Sequence, residues 1–207
     1  MTQTATQTAT QTATQTAPQG PGAETIPPPR FPLPELVPAT PLGEHLLRDF
    51  DLTYEMVCEL ADQYDETTAL AAPDGHMPLL WYLGHLTCSK DYVGTLHGGF
   101  DMLLSLDFYE LWAGDCATVD FDRAPTFEHM YSLYHQVHRR LRPFVAGLTP
   151  EDLRRGTDAE IVAGVSDDWK ARLRVVGEAV SLIQMHDAYH CGQLGSLSSA
   201  LGMRVPF

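Results

Sequence analysis

Positive charge is scarce in this chain: thirteen Lys and Arg stand against twenty-seven Asp and Glu, for a net charge of −14. Such a balance repels a phosphate backbone and argues against DNA or RNA as the partner. Long apolar runs are missing too. No stretch of about eighteen apolar residues occurs, so no segment is expected to span a membrane. Cysteine is sparse, and the four present include no close pair. With no basic, apolar leader at the N-terminus, reduced thiols in a cytoplasm are expected. Gly-x-Gly-x-x-Gly, Gly-x-x-x-x-Gly-Lys, Gly-x-Ser-x-Gly and Cys-x-x-Cys are all absent, which removes the usual sequence handles for nucleotide or serine chemistry. No sustained alternation of apolar and polar residues argues for strands.

The period that is present is helical. Apolar residues step by three or four through Leu42, Leu46, Phe50, Tyr54, Val57 and Leu60, and again through Met77, Trp81, His85, Cys88, Tyr92 and Leu96. A third stripe is Phe127, Met130, Tyr134, Val137, Leu141, Phe144 and Leu148, and a fourth is Val175, Ala179, Leu182, His186, His190, Gln193, Leu197 and Leu201. Four amphipathic helices predict an all-α four-helix bundle over residues 41–207, a length that suits one domain. Thr126 after Pro125 marks the head of the third helix, Gly147 and Pro150 bracket its end, and Pro143 is expected to kink or shorten it. Thr149 with Glu151 and Asp152 opens a short extra helix. Residues 98–125 are far more than a tight turn needs, and a crossover of that length between helices 2 and 3 lets those two run parallel.

Residues 2–17 are four copies of Thr-Gln-Thr-Ala, and the next two dozen hold most of the fifteen prolines. Residues 1–40 are therefore expected to be a disordered tail.

Three histidines fall inside the stripes: His85 on the second helix, His186 and His190 on the last. A buried imidazole must satisfy two ring nitrogens, and three in one core are a costly filling unless something common binds them. Residues four apart on a helix lie about 6 Å apart at Cβ, near enough for both rings to reach one cation. A metal site at His85, His186 and His190 is the expectation. Two familiar metal classes drop out. Asp187 replaces the Glu of a zinc-protease helix, and no His, Asp or Glu follows His190 to act as a downstream ligand. No glutamate has a histidine three residues on, as carboxylate-bridged di-iron bundles require.

Trp81-Tyr82-Leu83-Gly84-His85-Leu86 and His186-Asp187-Ala188-Tyr189-His190-Cys191-Gly192-Gln193-Leu194 resemble the two signature helices of the DinB/YfiT-like superfamily, over about residues 42–203. The His-x-x-x-His-x-Gly-Gln segment is the most specific part. The resemblance implies an up-down-down-up bundle and a metal triad at His85, His186 and His190. It further implies a thiol S-transferase in which Zn or Ni, held by three neutral imidazoles, activates a low-molecular-weight thiol of the bacillithiol or mycothiol type against a small electrophile. Metal-bound water in the same position would instead make a hydrolase, and a stress-induced, DNA damage-inducible bundle without catalysis is a third reading. Homodimers through outer bundle faces are usual in such proteins, and Tyr109 and Trp112 in the crossover are the exposed aromatics that would serve one here.

Around the triad, Cys88 is either a fourth ligand or a small buried thiol, and Asp187 is expected to support a ligand histidine or face solvent rather than serve as a catalytic base. Gln193 is placed to bond a ligand histidine or the helix backbone, Tyr189 to close the pocket or pack, and Cys191 to be inert. His135 and His138 flank their stripe and are expected on the surface. Eight of the thirteen positive residues lie between Arg139 and Arg174, as a solvated helix end or as a basic rim that guides a small anion.

Overall fold

A computed structural model describes residues 30–73, 75–113, 119–157 and 167–206. Among these residues the architecture is all-helical, with no strand beyond an isolated bridge between Gly156 and Val175. The long elements are α1 (Pro41–Ala61), α2 (Leu79–His97), α4 (Phe127–Gly147) and α6 (Val176–Ala200), and two short helices, α3 (Leu106–Trp112) and α5 (Asp167–Arg172), lie between them. The two short helices went undetected because one or two turns cannot display a stripe.

Local chemistry sets the ends. Thr40 caps α1 by accepting from the Gly43 amide at 2.9 Å, and Pro41, which has no amide hydrogen to leave unpaired, starts the helix. Thr126 does the same for α4 through the His129 amide. Pro143 does not end α4, which runs on to Gly147, so the expected shortening is absent. The predicted extra helix is a single 3₁₀ turn, Asp152–Arg154, with Thr149 and Asp152 bonded to each other.

α1, α4 and α6 carry one buried face each, whereas α2 is buried along most of its surface. α2 packs on α4 and α6, and α1 packs on the same two. The seam between α1 and α4 holds a polar clamp. Asp51 accepts from Arg142 through two guanidinium nitrogens and from His138 Nε2 at 3.0 Å, and His138 stacks on Phe50 and Tyr54 with centroids 4.3 and 4.0 Å away. The expectation of a surface His138 is thus overturned, since its side chain is fully buried. Arg142 is buried as well, not part of a solvated basic end. A carboxylate on the facing helix, invisible to periodicity along α4, draws both inward. His135 stays half-buried and bonds the Tyr54 hydroxyl at 2.7 Å.

The Thr/Gln/Ala repeat lies outside the described residues. Residues 30–40, expected as part of the tail, run extended along this seam. Phe31 stacks on His135 and meets the edge of Tyr131, and the Pro34 carbonyl accepts from Arg142 at 2.7 Å. The apolar side chains Phe31, Leu33 and Leu36 pack on the helices beneath.

Candidate metal centre

His85 projects from the middle of α2, and His186 and His190 from one face of α6, one turn apart. His186 Nε2 lies 3.0 Å from His85 Nε2 and 3.1 Å from His190 Nε2. One nitrogen from each ring falls within 4.8 Å of the other two. Bonds of about 2.0 Å from one tetrahedral ion would place its nitrogens about 3.3 Å apart, close to the two short separations.

The outer ring nitrogens explain why the inner ones meet. His85 Nδ1 is 3.0 Å from the Trp112 carbonyl, which can only accept, so Nδ1 holds the proton and Nε2 presents a lone pair. Gln193 donates to the Tyr189 hydroxyl and offers its Oε1 to His190 Nδ1 at 2.7 Å, with the same effect. Two lone pairs therefore aim at His186 Nε2. A proton there satisfies one of them, whereas a cation among the three satisfies all. His186 Nδ1 is buried without a hydrogen bond, and its nearest carboxylate oxygen, Asp187 Oδ1 at 3.9 Å, is also unbonded. This donor set fits a divalent ion and can hold one.

Burial, opposed in part by the bond to the Trp112 carbonyl, lowers the pKa of His85. Burial and then the neighbouring histidines push His190 down to about 4. Both rings are neutral at neutral pH, the form that ligates metal. Trp81 stacks on His85 at 4.7 Å with ring planes 11° apart, fixing the ring from the other side. Gly84 makes the Trp112 contact feasible, because a Cβ there would collide with the indole. Trp112 is wholly buried and Tyr109 half-buried with its hydroxyl donating to Asp91, so the exposed aromatics expected for a dimer are not there.

Behind His186 lies a group missed in the sequence: Lys90 of α2, fully buried and ion-paired with the equally buried Asp187. The ammonium also sits 4.3 Å from the centre of the Phe50 ring and 5.7 Å from that of Tyr134. Burial alone would raise the pKa of Asp187, but Lys90 first and then His186 hold it below the usual carboxylate value. Asp187 is thus no surface group. The available signal was the single lysine of α2, a helix whose composition leaves little of it for solvent, so that burial would require a partner for the ammonium.

A cavity of about 440 Å³ opens against His85 and His186, walled by α2, α3, α5 and α6. Cys88 lines it, yet its sulfur faces the Phe108 carbonyl and burial pushes its thiol pKa up, so it acts as a small neutral thiol and stays out of the ligand cluster. Cys191 is buried and pushed up to about 11, in keeping with an inert thiol. Tyr189 is 61% exposed and touches the site only through Gln193 and the edge of His190. Among the basic residues, Arg155 donates to the His97 carbonyl, while Arg174 and Lys170 pair with Glu178 and Asp167.

No helix among the described residues is long and apolar enough to cross a membrane. No functionally curated protein matches the chain. The DinB superfamily model matches residues 49–194, a span that takes in all three histidines, the whole of α2 and α6 as far as Leu194; the chain belongs to the DinB superfamily.

Proposed function

We propose that this protein is a cytoplasmic, metal-dependent enzyme in which His85, His186 and His190 hold Zn²⁺ or Ni²⁺ and a low-molecular-weight thiol of the bacillithiol or mycothiol type is activated for attack on a small electrophile. The observation that carries the reading is the convergence of three Nε2 atoms whose opposite nitrogens, on His85 and His190, are committed as donors. A divalent ion bound there supplies positive charge that lowers the pKa of a thiol placed beside it. The protein's own groups do the rest. Trp112 and Gln193 keep two imidazoles in the ligating tautomer, and Trp81 and Tyr189 brace them. The cavity next to His85 and His186 is lined mostly by apolar side chains, and a reactant filling it would displace water and strengthen electrostatics at the reacting atoms. Transfer forms a sulfur–carbon bond as the leaving group departs with its electron pair and the thiol proton goes to solvent.

We read the frame as an up-down-down-up four-helix bundle. The order of contacts supports this: α1 meets α6 at Leu46 with Gln184 and beyond its end at Tyr64 with Ser198, in the same sense. α1 meets α4 at Asp51 with Arg142 and at its end at Asp62 with Tyr131, in the opposite sense. α2 meets α4 at Lys90 with Tyr134 and at Gly94 with Leu141, again in the same sense.

The test is metal content by plasma mass spectrometry on tag-free protein beside the His186→Ala/His190→Ala variant, followed by turnover of monochlorobimane with and without thiol. Near-stoichiometric metal lost in the variant, with thiol-dependent turnover abolished by chelation, supports the proposal. Turnover of ester substrates without thiol would assign hydrolysis instead, and metal whose removal lowers Tm with no activity at all would make the site structural.

A further inference from the structure

Each triad imidazole turns one nitrogen towards the other two rings and the second towards the surrounding protein, and only two of those second nitrogens are met. His85 Nδ1 bonds the Trp112 carbonyl at 3.0 Å, and His190 Nδ1 bonds Gln193 Oε1 at 2.7 Å. His186 Nδ1 is buried and has no hydrogen bond among the described residues. Asp187 Oδ1, 3.9 Å away, is buried and equally unbonded. A ring nitrogen can donate and a carboxylate oxygen only accepts, so the two unmet atoms are complementary. Leaving both unmet carries the desolvation cost of each.

Lys90 holds the carboxylate in this position. Its ammonium bonds Oδ2 and leaves Oδ1 as the free acceptor, and neither side chain has any exposed surface. Lys90 stands on α2 and Asp187 on α6, and the ammonium also lies 4.3 Å from the centre of the Phe50 ring. A buried ion pair is a weak source of stability, because apolar residues of similar volume often serve as well. Its location one residue from a triad histidine points to a second use.

The geometry points to Asp187 as a positioning residue for the metal site: with a cation on the three inner nitrogens, His186 Nδ1 donates to Asp187 Oδ1, and Lys90 fixes the carboxylate where that bond forms. A ligating Nε2 must present its lone pair, which puts the ring proton on Nδ1 and makes it a donor. The separation of 3.9 Å suits the other tautomer, in which Nε2 carries the proton and two acceptors face each other. A hydrogen bond of about 2.9 Å requires the ring and the carboxylate to close by about 1 Å. Metal binding and the Asp187 bond therefore strengthen one another, and the pair in the core becomes part of what sets metal affinity. The inference rests on the proposed function in taking the triad as a metal site.

Two charge-free variants of the full chain separate this role from the pair's part in folding. Lys90→Met/Asp187→Asn keeps an acceptor oxygen beside His186, and Lys90→Met/Asp187→Leu does not. After near-ultraviolet circular dichroism shows both folded, zinc affinity is measured by chelator competition and the cobalt-loaded proteins by visible absorption. Lys90→Met/Asp187→Leu should bind zinc about 10- to 100-fold more weakly than wild type and shift the cobalt bands, with Lys90→Met/Asp187→Asn recovering most of the affinity. Equal affinity in wild type and Lys90→Met/Asp187→Leu overturns the inference, as does a Lys90→Met/Asp187→Asn variant that binds no more tightly than Lys90→Met/Asp187→Leu. Proton NMR of zinc-loaded wild type carrying isotope-labelled histidine needs no variant to fold. It should show a hydrogen-bonded Nδ1 proton on all three imidazoles, and signals from His85 and His190 alone overturn the inference. Wild type that takes up zinc while the variants match it sinks this inference alone, whereas wild type that takes up no metal sinks the metal reading itself and this inference with it.

Discussion

Replacing Lys90 with methionine should be among the most damaging single changes in this molecule. Lys90 and Asp187 have no exposed side-chain surface, and each is the other's ion-pair partner. Truncating one member of a buried pair leaves an uncompensated charge and costs about 3–5 kcal/mol. For a domain of this size each kcal/mol lowers Tm by about 2–4 °C, so the expected loss is roughly 6–20 °C. The reverse change should hurt less. In Asp187→Asn the stranded ammonium still faces the rings of Phe50 and Tyr134, an attraction worth up to about 2 kcal/mol when desolvated. The double variant Lys90→Met/Asp187→Leu removes both charges and should recover most of the loss. Acid should distinguish the proteins. In the wild type the Asp187 pKa is lowered, so its contribution is present above the unfolded carboxylate pKa and lost as pH falls through the folded one. In Lys90→Met, burial would raise that pKa, and stability should increase as pH falls through the raised value. Urea denaturation with metal stripped by chelator, from pH 4 to 8, measures all of this. A loss below about 1 kcal/mol in Lys90→Met, or a double variant no better than the single, would refute the reasoning.

Gln193→Leu removes the acceptor that keeps His190 in its ligating tautomer and should weaken metal affinity about 10- to 100-fold by chelator competition, with Gln193→Glu retaining most of it. Gly84→Val drives a side chain into the Trp112 indole and should cost about 1–3 kcal/mol together with metal affinity, seen by near-ultraviolet circular dichroism and zinc titration. His138, held at about 3 by burial, binds its proton more readily when unfolded, so its contribution is present above pH 6.5 and lost as pH falls towards 3. The stability difference between wild type and His138→Gln should then change by about 1.4 kcal/mol per pH unit over that window, and a flat difference would mean that His138 titrates normally in the fold.

Much of the helical frame was legible because its stripes follow a geometry that every turn repeats. Leu79 to His97 and Val176 to Ala200 read as helices however their neighbours pack. Their apolar faces also carried His85, His186 and His190, and three imidazoles on such faces are costly unless their ring nitrogens find partners. His138 was misplaced for the same reason. Periodicity ranks a residue by its own helix, whereas Asp51, on another helix and 87 positions away, supplies the bond that makes its burial tolerable.

By itself, then, the sequence determined which long segments are helical and singled out the three imidazoles that the fold brings together, since both follow from spacing along one chain and the cost of burying polar groups. Only the tertiary structure decided what surrounds those side chains. The Trp112 carbonyl that sets the His85 tautomer and the Lys90 ammonium that neutralises Asp187 each depend on close contacts between residues distant in sequence. A hydrogen bond or an ion pair forms within a few tenths of an ångström and a narrow range of angles, and that precision is settled only when the helices pack.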